Sequence, residues 1–91
     1  MTKTERDKVI ALSLLHIPEI GFGAKLINGL RWRLDNEPSA PLSRKEKYLL
    51  ENCCWHYRKA LGGNVSFELP ESKPQQADYI PQRPQPQSRL L

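Results

Sequence analysis

A break in composition at Pro70 constrains this chain more than any motif in it. Thirty of its thirty-five apolar residues fall within residues 1–69 and five within the last 22, so the front can bury a modest core and the rear cannot. Five prolines and five glutamines crowd those last 22 positions. Proline removes backbone donors and favours extended polyproline conformation, which predicts a Pro/Gln-rich flexible tail over 70–91 beside one domain over 1–69. At 91 residues the chain is too short for two independently stable cores, or for a large enzyme around an enclosed cofactor.

Two further absences narrow the class. No apolar run approaches the roughly 20 residues that span a bilayer, and the first residues lack a basic segment leading into a signal-peptide core, so a soluble cytoplasmic protein with no membrane partner is expected. The only cysteines, Cys53 and Cys54, are adjacent and cannot easily bridge to each other. That pattern disfavours a secreted disulfide scaffold and suits a reducing compartment.

Within residues 1–69 the spacing predicts an all-α fold, a small three-helix bundle. Thr4 with Asp7 resembles a helix-opening cap, and a first helix would run from about Glu5 to His16, with Pro18 barring continuation. Its apolar residues Val9, Ile10, Leu12, Leu14 and Leu15 point around most of the circumference, so it needs neighbours on more than one side. A second helix should begin between Glu19 and Gly23 and end near Leu34, with Leu26, Ile27, Leu30 and Leu34 as its stripe. Ser43 with Glu46 is the strongest start signal in the chain, a capping box opening a third helix over about Arg44 to Leu61 that Gly62-Gly63 should close. Beyond it Val65, Phe67 and Leu69 alternate with polar residues, as expected of an extended segment laid over the helices.

The third helix has two unlike faces. With Leu50 as reference, Cys53, Cys54, Tyr57 and Leu61 fall on the core side, while Tyr48 and Trp55 fall opposite together with Lys45, Asn52 and Lys59, and Arg44 lies at their margin. Bases or an acidic partner could use such a patch through stacking and phosphate pairing. The competing reading packs Tyr48 and Trp55 against the first helix and leaves the lysines in water. Trp32, flanked by Arg31 and Arg33, points away from its own helix's stripe; a packed indole with snorkelling arginines is expected there, although both arginines join the candidate surface.

Other chemistry finds little support. Cys53, Cys54, His56 and His16 lack zinc-ligand spacing, a Cys beside a His on a short helix has no oxyanion donors, and Gly21-Phe22-Gly23 has neither the third glycine nor the preceding strand of a phosphate loop. No metal, cofactor or catalytic residue is assigned, and a non-enzymatic protein is expected. In the tail, Pro81-Gln82-Arg83-Pro84-Gln85-Pro86 has a spacing suited to an aromatic-lined groove. Tyr79-Ile80 and Leu90-Leu91 are isolated apolar pairs of the kind that anchor a segment ordering on a protein partner, with Arg83 between them.

Leu42-Ser43-Arg44-Lys45, then Leu49-Leu50 and Tyr57-Arg58-Lys59, preceded by Leu26, Leu30 and Arg33-Leu34, resembles a helical hairpin found in small bacteriophage and prophage proteins. The resemblance covers residues 26–61, and the usual pattern carries Gln where this chain has Glu46. It implies a viral or mobile-element context, with a bacterial host's cytoplasm as the location, and a non-enzymatic module; it transfers no catalytic residue.

Two functions therefore stand against each other. In one, Arg31, Arg33, Arg44, Lys45, Tyr48, Trp55 and Lys59 bind nucleic acid or a nucleoprotein complex. In the other, the chain is an adaptor or inhibitor of a host machine, such as a defence system, whose tail residues Tyr79, Ile80, Arg83, Leu90 and Leu91 order on the partner. The net charge of +4 fits weak, salt-sensitive nucleic-acid binding. The shared face of cations and aromatics favours the first function, and nothing in the sequence specifies an oligomeric state.

Overall fold

A computed structural model describes residues 1–75. Helix α1 spans Lys3–Ser13 and opens on a capping box two residues earlier than expected: the Thr2 hydroxyl accepts from the Glu5 amide at 3.1 Å and the Glu5 carboxylate accepts from the Thr2 amide at 2.8 Å. Glutamate reaches back to the cap amide where the shorter Asp7 would not. Asp7 instead accepts from Lys3 at 2.9 Å and from the Ser66 hydroxyl at 3.2 Å, and the Lys3 ammonium holds its carboxyl below the usual range. The helix also stops short of His16, which turns the chain with a left-handed φ of 53°.

Helix α2 spans Ala24–Asn36, two residues beyond the expected end, and halts at Glu37 immediately before Pro38, where helical backbone is disfavoured. Gly23 caps its start at φ 71°, and a Cβ there would stand 2.5 Å from the Cys53 sulfur, so both conformation and space require glycine. Ile27 and Leu30 are buried, with Leu26 and Leu34 packed at the margin of the core, as the stripe predicts.

Helix α3 spans Arg44–His56 and opens on the expected box, with the Ser43 hydroxyl accepting from the Glu46 amide at 3.1 Å and the Glu46 carboxylate from the Ser43 amide at 2.8 Å. The single helix expected as far as Leu61 is interrupted at Tyr57 (φ −99°, ψ 18°), and one further turn, α4, covers Arg58–Leu61. No glycine or proline marks the interruption. The Tyr57 hydroxyl donates to the Phe22 carbonyl at 2.6 Å, a tertiary tether that local helix propensity does not register. Gly62, at φ 59°, closes the run as expected.

The core joins Val9 and Leu12 of α1, Ile27 and Leu30 of α2, Leu50, Cys53 and Cys54 of α3, and Leu61 of α4. Helix α1 meets both α2 and α3, which answers its broad apolar girth, although Leu14 stays 64% exposed. Among the described residues there is no strand; residues 65–75 are irregular, with bends at 65–67 and 71–72 where a plain extended segment was expected, and Val65, Phe67 and Leu69 pack on the core. Two ion pairs tie the helices together, Lys8 with Glu51 between α1 and α3 and Arg33 with Glu46 between α2 and α3.

Candidate interface on the third helix

Charge on α3 and α4 is partitioned by tertiary structure. The run 44–61 carries five cations, Arg44, Lys45, Lys47, Arg58 and Lys59, and two carboxylates, Glu46 and Glu51. Glu51 is taken by Lys8 of α1, and Glu46 by Arg33 of α2 and by the cap. The Ser43 amide, more than Arg33, holds the Glu46 carboxyl below its ordinary range, so it stays ionised and occupied. Both acids of the run are thereby neutralised by other helices. Among the described residues none of the five cations has a carboxylate within 4.0 Å, and Arg44, Lys45, Lys47 and Lys59 are exposed.

The aromatic part of the face is half-buried at both Tyr48 and Trp55. Trp55 does not present a bare ring: the Arg58 guanidinium carbon lies 4.2 Å from its centroid, and an Arg58 Nη1–H donates to the Trp55 carbonyl at 2.9 Å. Stacking of this kind fixes the guanidinium's orientation while leaving other N–H groups free to donate. Sequence reasoning did not include Arg58 among the site residues; its signal was the Trp55, Arg58 spacing of three on one helical face. Lys59 follows the interruption at Tyr57 and is carried by α4, while Lys45 stands at the other end of the surface, three residues before Tyr48.

Arg31 and Arg33 are placed elsewhere. Arg31 donates to Asp35 at 3.3 Å and to the Ser13 hydroxyl at 3.1 Å, and Arg33 joins Glu46 and the Pro41 carbonyl. Both work as inter-element struts. The expected packing of Trp32 is overturned, since the residue is 58% exposed: it lies on the side of α2 opposite the core stripe, where none of the described helices covers it.

The two thiols are buried, and burial pushes Cys53 up to about 11 and Cys54 to about 12, so neither is a ready nucleophile or metal ligand. His56 stacks on Phe22 with ring centroids 4.3 Å apart. Among the described residues no group of three or more His, Cys, Asp or Glu is placed to hold a metal ion, and no helix is long and apolar enough to cross a membrane. Tyr79, Ile80, Arg83, Leu90 and Leu91 lie outside the described residues. Comparison with known protein families, with curated proteins and with solved structures returns no match.

Proposed function

We propose that this chain is a non-enzymatic module of mobile-element origin that binds nucleic acid, alone or within a nucleoprotein complex, through the outer face of α3 and α4. Arg44, Lys45, Arg58 and Lys59 contact phosphates, with Lys47 at the edge, and Trp55 holds Arg58 in orientation while Tyr48 adds an aromatic edge. The carrying observation is the partition of charge: each carboxylate of the run is engaged by a cation from another helix, leaving a positive surface that Coulomb attraction directs toward polyanions. In this reading three helices form the folded module and the Pro/Gln-rich tail follows it. Titration of a fluorescent oligonucleotide at low salt tests it. Binding that weakens steeply with salt, and collapses in an Arg44→Glu, Lys45→Glu, Lys59→Glu variant of unchanged helicity, is expected.

One observation favours the adaptor reading. Ile20, 99% exposed, and Phe22, 45% exposed and stacked on His56, place apolar surface in water between α1 and α2, a feature that protein partners cover more readily than phosphates do. Recovery of a nuclease-resistant protein complex from a host lysate, lost on Ile20→Ser or on deletion of residues 76–91, would favour it over nucleic-acid binding.

A further inference from the structure

The outward side of α2 takes no part in the α3 surface. At 100° per residue, Lys25, Gly29, Trp32 and Asn36 fall within about 60° of one another, opposite the buried Ile27 and Leu30. Two independent features of this strip are costly for an isolated monomer. Trp32 leaves 58% of its surface in water. Gly29 sits mid-helix without the positive φ that favours glycine, and among the described residues, its own helix backbone and chain neighbours aside, no atom lies within 4 Å of where its Cβ would stand. Helical side chains lean toward the turn before them, so the first explanation of such a glycine is that the Trp32 ring folds back over it. The empty space excludes that. Glycine here weakens the helix and serves no contact among the described residues.

We propose that this strip is the interface of a homodimer in which two α2 helices pack antiparallel across a two-fold axis. The strip carries both a protrusion, Trp32, and a notch, Gly29, about 4.5 Å apart along the helix. An antiparallel two-fold sets each copy's Trp32 over the other's Gly29, the reciprocal contact that an isologous interface requires. The same register sets each Lys25 against the opposite Asn36 and within one residue of the opposite Asp35, whose side chain is 56% exposed beside Arg31. Charge complementarity thus agrees with the steric fit. The second copy is chosen over an unrelated partner because protrusion, notch, cation and carboxylate all recur on one surface in positions that match their own inversion. The proposal does not depend on how the α3 surface is used.

Sedimentation equilibrium of the full chain over a wide concentration range tests it, with a mass rising from 10.5 kDa toward twice that value. Gly29→Ala gives the distinguishing result: the monomer's thermal midpoint rises because alanine favours helix, while dimer affinity falls at least tenfold because the notch is filled. Lys25→Glu should weaken the dimer, and Lys25→Glu with Asp35→Lys should restore it. A wild-type chain that stays monomeric at millimolar concentration overturns the proposal, as does a dimer that Gly29→Ala leaves equally tight.

Discussion

Cys53 links two elements through a single atom. Its sulfur occupies the space a side chain at Gly23 would need, so the left-handed turn that starts α2 and the buried face of α3 are fitted to each other. Gly23→Ala meets both a backbone penalty and a clash, and should cost about 2–4 kcal/mol of stability, read from the urea midpoint. Pairing it with Cys53→Ala should recover part of that loss, which a double-mutant cycle would show as coupling. The thiols also set an alkaline limit. Their folded pKa values, about 11 and about 12, lie above the ordinary 9.0, so the stability they contribute is complete below pH 9.0 and declines as pH rises through the folded values. A thermal midpoint that falls above about pH 9, less steeply in a Cys53→Ala, Cys54→Ala variant, is expected.

Glu46 serves two elements at once, as the reciprocal half of the α3 cap and as the partner of Arg33 on α2. Glu46→Ala should destabilise by about 1–2 kcal/mol, and Glu46→Gln, which keeps the cap bond and loses the charge, by less. Because its pKa is lowered in the fold, the contribution of the carboxylate's charge is present above its ordinary 4.5 and disappears as pH falls through the lowered value, so Glu46→Gln should converge on wild type in acid while Glu46→Ala keeps the deficit of the lost cap bond. Helix α3 could be read from the sequence because Ser43 and Glu46 offer one unambiguous box. The start of α1 could not, since Thr2 with Glu5 and Thr4 with Asp7 compete and side-chain length decides between them. The interruption at Tyr57 was invisible because no glycine or proline marks it, and the hydrogen bond that Tyr57 makes there, to the Phe22 carbonyl, spans 35 residues of sequence. For the same reason Arg31 and Arg33 read as surface cations: their acceptors lie on other elements or one turn along, and only the tertiary arrangement shows them occupied.

At the scale of the molecule, the proposed nucleic-acid binding turns on which cations the fold engages and which it leaves free. Lys8 and Arg33 bind the carboxylates of α3, so the net charge of +4 understates the local field on that helix, and binding should follow the free cations rather than the total. Neutralising Arg31, a strut, should therefore change stability more than affinity. The salt dependence of oligonucleotide binding measures the free set directly. If Arg44, Lys45, Arg58 and Lys59 each neutralise one phosphate, the slope of log K against log salt should lie at about −3 to −4, and replacing Arg44, Lys45 or Lys59 singly with alanine should bring it about one contact closer to zero. A slope that is unchanged when all three are replaced, or binding indifferent to salt, would contradict the assignment of this face to nucleic acid.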